Sequence, residues 1–202
     1  MNLLEAIHSR YILGRRVARL AELLADVLPE EGACLDVGCG DGCIDRLIME
    51  RRPALTITGV EALVRHETAI PVQAYDGATL PYEAGQFDVV LFVDVLHHVD
   101  DPVALMAEAC RVARRSLVIK DHLLEGWFAG PTLRLMDSVG NRRFGIGLPF
   151  HFWPQAKWEE AWRELHLTVR TWIPELRLYP PHLSPFFDRK LHFIAALEKE
   201  RP

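Results

Sequence analysis

One short stretch carries the clearest chemical signal, because Gly38, Gly40 and Gly42 stand at alternate positions in it, beside Asp36 and Asp41. Glycine lets the main chain adopt positive φ and approach a ligand without a Cβ in the way. The apolar run before the stretch predicts a buried strand. The periodicity after it predicts a helix, whose first N–H groups would point at the same place. The stretch therefore predicts a site for a nucleotide-like ligand.

The glycine spacing and the carboxylates favour S-adenosylmethionine over a dinucleotide. A dinucleotide motif spaces its glycines as G-x-G-x-x-G around a pyrophosphate, but Cys43 stands here where its third glycine would be. Carboxylates repel a pyrophosphate and attract ammonium and sulfonium groups. At this point the chain resembles the class I S-adenosylmethionine-dependent methyltransferases, whose first motif is acidic-x-G-x-G-x-G. The resemblance implies cofactor contacts from Asp36, Gly38, Cys39 and Gly40.

Short β-branched runs alternate with helical patterns along the chain, which is typical of a parallel sheet with helices on both faces. The predicted strands cover residues 33–37, 55–60, 70–74, 87–93, 116–120, 167–173 and 190–197. The last two would form a closing hairpin that resembles the end of the methyltransferase sheet. We therefore expect an α/β, Rossmann-like fold with a seven-stranded, mostly parallel, doubly wound sheet and an antiparallel last strand.

The 202 residues are 50% apolar, which predicts a single methyltransferase domain over residues 1–202. Residues 1–32 have apolar groups at helical spacing and predict N-terminal helices, divided near Gly14. Residues 123–153 are rich in glycine, proline and aromatic side chains, and we interpret them as a lid insertion over the acceptor site. A helix that contains Trp158 and Trp162 is expected to follow.

Two later motifs predict contacts with a nucleoside. Glu61, followed by Ala62, ends the second predicted strand beside the glycine turn, where a carboxylate can accept hydrogen bonds from both ribose hydroxyls. Dehydrogenases place an acid similarly, so Glu61 alone does not choose between cofactors. Asp76 and Gly77 follow the third strand and match the methyltransferase pattern. That match implies that Asp76 accepts a hydrogen bond from the adenine amine and that Gly77 leaves room for the ring.

The fourth predicted strand and its following turn carry a closer resemblance. Residues 87–102, with Val93, Asp94, His97 and His98 at their centre, are similar to the type 11, ubiquinone-biosynthesis-like branch of the family. This resemblance implies that Val93 and Asp94 lie along the methionine end of the cofactor. It also implies that one or both histidines face the transferred methyl group.

The fifth predicted strand ends in Asp121 and His122 at the same rim of the sheet, where they could face His97 or His98 across the acceptor site. Methyl transfer needs in-line alignment and removal of a proton from the acceptor. A histidine can take that proton, and a carboxylate can orient the histidine. Some sugar and natural-product O-methyltransferases that share this motif use such a pair. The four residues are therefore the candidate catalytic set.

One segment departs from the family pattern. Members usually have a Leu-Lys-Pro-Gly-Gly turn before the fifth strand, whereas residues 111–116 run directly into the strand here. The shortened loop lies on the face opposite the predicted cofactor, so it bears on subfamily membership rather than on cofactor binding.

The predicted lid holds aromatic and polar side chains that suit a small organic acceptor, aromatic or lipid-like in character. They are Trp127, Phe128, Phe144, Phe150, Phe152 and Trp153, with Asp137, Asn141, Arg142 and Arg143. The same aromatics could instead fill the underside of the lid. After the fourth strand the chain has no Asn/Asp-Pro-Pro-Tyr motif, which argues against methylation of a base or a glutamine amide. We expect oxygen as the acceptor atom, with carbon as the second choice.

Charge and composition argue against other partners. The net charge of −5 disfavours a nucleic-acid-binding face, and arginines interrupt the N-terminal apolar residues, so no membrane span is predicted. The four cysteines indicate reduced thiols and a cytoplasmic location. Cys39 and Cys43 begin the spacing of a radical-enzyme cluster motif, but Arg46 stands where its third cysteine belongs, and we predict no metal site.

Two other functions compete with a methyltransferase. A regulatory or accessory protein could keep the S-adenosylmethionine site without catalysis, although the histidine and aspartate set favours an enzyme. A nicotinamide-dependent oxidoreductase is disfavoured by the glycine spacing. The sequence leaves the oligomeric state open.

Overall fold

A seven-stranded sheet follows the apolar runs of the sequence. The computed structural model describes residues 13–141 and 150–200. The strands are β1 (Glu31–Val37), β2 (Ala54–Glu61), β3 (Val72–Ala74), β4 (Phe87–Val93), β5 (Ala113–His122), β6 (Leu167–Ile173) and β7 (His192–Lys199). The helices are α1 (Gly14–Val27), α2 (Cys43–Arg51), α3 (Pro102–Val112), α4 (Ala129–Asn141), α5 (Gln155–Glu164) and α6 (Ser184–Phe187), with a 3₁₀ turn at Leu96–His98.

The strand order is β3-β2-β1-β4-β5-β7-β6. Strands β1 to β5 pair in parallel, and β7 pairs antiparallel with both β5 and β6. This topology confirms the predicted fold. The strand order reverses between β1 and β4, and in such sheets the crevice at the carboxyl ends of these strands is where ligands bind.

The predicted boundaries hold for β4 and β6 and shift at other strands. β5 begins at Ala113 because α3 ends at Val112 and leads into the strand without a turn, as the shortened loop indicated. β7 begins at His192 rather than at residue 190, since Lys190 has a positive φ of 55° that a strand does not accommodate. Of the predicted N-terminal helices, α1 begins at Gly14, and residues 1–12 lie outside the described part of the chain.

Alternate residues of β4 supply the two cores of the sheet. Val90 and Phe92 pack with α3 and α5, whereas Val89 and Leu91 pack with α1 and α2. A strand buried on both faces needs apolar residues at nearly every position, which explains its continuous apolar run. None of the helices in the described residues is both long and apolar enough to cross a membrane.

Gly42 shapes the entry into α2, because it precedes the helix with a left-handed φ of 71°. A Cβ at this position would lie 2.4 Å from Cγ1 of Ile70. The turn therefore requires both the backbone freedom and the small volume of glycine. With it, the N-terminus of α2 faces the carboxyl edge of the sheet.

We expect Gly42→Ala to lower the free energy of unfolding more than Gly85→Ala does. Gly85 has a similar φ of 66°, but no described atom outside its chain neighbours lies within 4 Å of the place where its Cβ would stand. A left-handed alanine costs about 1–2 kcal/mol at either site, and only Gly42→Ala adds the overlap with Ile70. Urea denaturation measures the difference. Equal losses would show that the contact with Ile70 relaxes freely.

Candidate active site

The glycine turn lies between β1 and α2 at the crevice. Its three glycines all have positive φ, at 76° for Gly38, 62° for Gly40 and 71° for Gly42. A Cβ on Gly38 would lie 2.6 Å from Cγ2 of Val95, so the turn packs directly on the segment after β4. The Sγ atom of Cys39 lies against Gly59 of β2, where an added Cβ would come within 2.3 Å of it. The Cys39 side chain therefore packs on the sheet, and its backbone is bonded within the turn, since its N–H donates to Val60 at 3.4 Å and its carbonyl oxygen accepts from Gly42 at 3.0 Å.

Asp36 is buried beneath this turn, and its Oδ1 atom makes no hydrogen bond within the described residues. Burial, and then the neighbouring carboxylate of Asp45, raises the pKa of Asp36 well above its usual range. Two neighbouring buried carboxyl groups are costly to ionise without a counter-ion, and they favour the approach of a cation. The residues here fit a ligand with positive groups, such as the ammonium and sulfonium of S-adenosylmethionine.

Glu61 stands at the end of β2 beside the glycine turn, as predicted. Its Oε2 accepts a hydrogen bond from the backbone N–H of Gly40 at 2.9 Å, and its Oε1 accepts one from Ala62 at 2.9 Å. Arg65 and Asp41 form an ion pair at 2.9 Å across the same turn. The half-buried carboxylate of Glu61 thus faces the crevice, one strand away from Asp36.

Asp76 and Gly77 follow β3 at the far side of this edge. The Oδ1 atom of Asp76 accepts hydrogen bonds from the backbone of Ala78 at 2.9 Å and of Thr79 at 2.7 Å. These bonds lower the pKa of Asp76. Gly77 has a φ of 86° and open space where a Cβ would stand. The space beside Gly77 is therefore open on the side where a Cβ would stand.

Asp94 forms ion pairs with two cationic side chains that the sequence analysis did not predict for the site. Its Oδ2 pairs with the guanidinium of Arg16 on α1 at 2.5 Å, and its Oδ1 pairs with Lys120 of β5. Burial alone would raise the pKa of Asp94, but Lys120 and Arg16 outweigh it and hold that pKa well below its usual range. Val93, just before it, is half-buried against the core beside α1 and α2.

Three buried basic side chains lie behind Asp94: Lys120, His122 and His192. The Nδ1 atoms of the two histidines are 3.1 Å apart, and Nε2 of His122 lies 3.6 Å from Oδ1 of Asp94. Burial, and then the charge of Lys120, lowers the pKa of both histidines well below the usual range. Both rings are therefore neutral. Lys120 directly precedes Asp121 and His122 at the end of β5, so the sequence could have indicated it as a site residue. No motif or spacing in the sequence indicated Arg16 or His192.

His97 and Asp121 form a buried pair, with His97 Nδ1 2.6 Å from Asp121 Oδ1. The carboxylate also accepts hydrogen bonds from the backbone N–H groups of Leu96 at 3.0 Å and His122 at 2.7 Å. Burial of the ring works in the opposite direction, but the carboxylates of Asp121 and Asp137 raise the pKa of His97 to about 9. Because Nδ1 is occupied by Asp121, Nε2 is the atom that faces away from the sheet.

The predicted lid supplies the surroundings of the two histidines. Oδ1 of Asp137, on α4, lies 3.5 Å from Nε2 of His97 and 3.2 Å from Nε2 of His98. Phe152 stacks on His97 with ring centroids 5.3 Å apart, and Phe150 lies edge-on to His98 at 6.3 Å. One carboxylate and two aromatic rings therefore contact the two histidines.

The other predicted lid aromatics lie elsewhere. Trp127 is 85% exposed and Phe128 62% exposed, and Trp127 lines a separate cleft of about 470 Å³. Trp153 is buried and packs on Trp158 at 4.8 Å. Phe144, Arg142 and Arg143 fall outside the described residues. The sequence analysis therefore predicted more aromatic side chains for the acceptor pocket than the described structure places beside the histidines.

Two relatives match about half of the chain. The 27-O-demethylrifamycin SV methyltransferase of Amycolatopsis mediterranei is 30% identical over 129 residues, which is 55% of this chain and 47% of that protein. A ubiquinone biosynthesis O-methyltransferase of Cereibacter sphaeroides is 34% identical over 113 residues, which is 50% of this chain and 44% of that protein. The matched region is thus less than half the length of either relative.

The fold also has solved counterparts. A geranyl diphosphate methyltransferase in complex with S-adenosylmethionine superimposes with a TM-score of 0.65 at 15% identity, covering 91% of this chain and 85% of that one. Residues 7–176 match the family model described as a methyltransferase domain. With that match over a sheet whose crevice fits the methyl donor, the chain belongs to the class I S-adenosylmethionine-dependent methyltransferases.

Proposed function

We propose that this protein transfers the methyl group of S-adenosylmethionine to an oxygen atom of a small organic acceptor beside His97. The observation that carries the proposal is the buried His97–Asp121 pair at the carboxyl edge of the sheet. The two relatives above are named as O-methyltransferases or after an O-demethylated acceptor, which supports oxygen over carbon. A non-catalytic accessory protein would have no need of this pair.

S-adenosylmethionine, when bound, supplies a methyl group that its sulfonium already activates. The residues of the chain then have to align the acceptor and remove its proton. Asp121 holds the Nδ1–H of His97, so Nε2 of the neutral ring can take a proton from the acceptor hydroxyl. Because the pKa of His97 is raised to about 9, most rings are protonated at neutral pH, and the base is the deprotonated fraction, which grows as the pH rises towards that pKa. His98 and His122 complete the proposed catalytic set through their ring contacts with His97, at centroid distances of 3.8 and 4.6 Å.

The proposed cofactor residues follow the crevice from one end of the ligand to the other. Asp36 and the glycine turn would face the methionine end, Glu61 the ribose and Asp76 the adenine amine. The full proposed set is Asp36, Gly38, Cys39, Gly40, Glu61, Ala62, Asp76, Gly77, Val93 and Asp94.

We propose an aromatic or lipid-like acceptor, held under residues 123–153 as a lid. Phe150 and Phe152 stack on each other with centroids 5.9 Å apart, and their faces would enclose an apolar molecule next to the histidines. The net charge of −5 argues against a nucleic-acid acceptor. The reduced thiols expected of the four cysteines support a cytoplasmic location.

The buried acid Asp36 generates the first test. At about one hundred times its dissociation constant, S-adenosylmethionine should stabilise the wild type by roughly 2.7 kcal/mol, and NADH should not. Asp36→Asn should lose that gain. It should also raise the melting temperature of the ligand-free protein at pH 7, because a carboxyl whose pKa is raised by folding destabilises the fold above its unfolded pKa. Thermal denaturation with and without ligand measures both effects.

Asp26→Asn is the matched control, since Asp26 is an exposed acid on α1. It should change neither the melting temperature nor the ligand-induced gain appreciably. Stabilisation by NADH, or an undiminished gain in Asp36→Asn, would contradict the proposed cofactor site.

The His97–Asp121 pair generates the second test. Transfer of radiolabelled methyl to a panel of phenols and alcohols should fall at least about 100-fold in His97→Ala and in Asp121→Asn. Binding of S-adenosylhomocysteine, measured by calorimetry, should stay within a few-fold of wild type. The exposed His182→Ala should transfer normally. If either variant of the pair lost cofactor binding together with turnover, its role would be structural.

A further inference from the structure

We propose that His97, His98 and Asp137 form a binding site for a divalent transition metal ion, with Zn²⁺ as the best-suited ion. The Nε2 atom of His97 is buried, with the side chain only 1% exposed, and it forms no well-aligned hydrogen bond within the described residues, because its contact with Oδ1 of Asp137 is long, at 3.5 Å. A buried polar atom whose hydrogen bonding is this poor is uncommon in a folded protein and leaves room for a ligand between the two residues. It faces the Nε2 atom of His98 and a carboxylate oxygen of Asp137.

The distances fit coordination. The three candidate ligand atoms lie within 4.8 Å of one another. Asp137 Oδ1 is 3.5 Å from His97 Nε2 and 3.2 Å from His98 Nε2. Ligands bound to tetrahedral zinc at about 2.0–2.2 Å lie roughly 3.3–3.5 Å from each other. Small rotations of the histidine rings would therefore bring all three atoms onto one ion.

The contact between His97 and Asp121 also favours a metal site. Metal-binding histidines commonly donate their second ring N–H to a carboxylate, which fixes the tautomer and aims the free lone pair at the metal. Asp121 makes this contact with Nδ1 of His97 at 2.6 Å. Two imidazoles and one carboxylate suit zinc and its neighbours better than Mg²⁺ or Ca²⁺, which prefer oxygen ligands.

Such an ion would act on the proposed reaction as an inhibitor. This consequence, unlike the binding itself, rests on the proposed role of His97 as the base. An ion on Nε2 occupies the lone pair that would take the acceptor's proton. It would also tie α4, which carries Asp137, to the histidine turn. A direct contact between Asp137 and the two rings without any ion is the competing explanation.

The test is direct metal binding by the full chain. Equilibrium dialysis against buffered Zn²⁺ should show one ion bound to wild type. Binding should weaken about 10–100-fold in Asp121→Asn, whose carboxylate orients His97 without being a proposed ligand, and at least as much in Asp137→Asn. The exposed His182→Ala should bind zinc as wild type does. Unchanged affinity in Asp137→Asn, or no bound ion in wild type, would overturn the proposal.

Cobalt substitution excludes the thiols as the source of binding. Co²⁺ at the proposed site should give visible bands of nitrogen and oxygen ligation, without the strong near-ultraviolet absorption that cysteine thiolates produce. Thiolate absorption that disappears in Cys43→Ser would place the ion at the exposed Cys43 and overturn the assignment.

Zinc binding and methyl transfer are measured in separate experiments, so the proposed metal site and the proposed reaction can be contradicted independently. Zinc binding without any methyl transfer to the panel would leave the metal site standing and remove the proposed reaction. Methyl transfer without zinc binding would do the reverse. If zinc bound at these residues and increased transfer, the inhibitory role would be wrong.

Discussion

The acceptor side of the site depends on one buried carboxylate. Asp121 is fully buried and accepts hydrogen bonds from His97 and from the backbone of Leu96 and His122. Charge-assisted bonds of this kind are strong, and a buried carboxylate is tolerated only where they are made. Because the donors come from the 3₁₀ turn and from the end of β5, the carboxylate fixes the histidines relative to the sheet. The direction of His97 Nε2 follows from that constraint.

Two acids of the proposed cofactor site have opposite electrostatic surroundings. Asp94 is paired with Arg16 and Lys120, whereas the charged groups that act on Asp36 are two further acids, Asp45 and Glu61. The first arrangement stabilises the ligand-free fold, and the second leaves a position where the fold gains from an incoming cation. Because Asp94 already has its counterions, it holds Arg16 in place in the ligand-free protein. The ends of the adjacent strands β1 and β4 therefore differ in charge balance.

The sequence predicted those parts of the site that the sheet itself positions. Glu61, Asp76 and Asp121 stand at or just after the carboxyl ends of parallel strands, and these ends share one edge of the sheet, so their common edge followed from the strand pattern. Contacts that depend on packing between distant elements left no periodic signal. Arg16 meets Asp94 across 78 residues, and Asp137 reaches the histidines only through the placement of α4. Trp127 was predicted for the acceptor pocket but is exposed, because aromatic composition alone does not indicate which face of a segment is buried.

The direction of β7 explains why one member of the buried cluster could not be found by the same rule. In a parallel strand the residues at the ligand edge come last, but β7 runs antiparallel to β5 and therefore contributes its first residue, His192. Its register places it opposite His122, and the two neutral rings then separate Asp94 and Lys120 from the loop carrying Phe187, whose carbonyl oxygen lies 3.1 Å from His192 Nε2. A search of strand ends for site residues in this fold has to be reversed for the antiparallel strand. The predicted strand starts at Lys190, so the reversed rule selects His192 only when the start of β7 is taken from the structure. The closing strand then contributes to the basic side of the crevice together with β5.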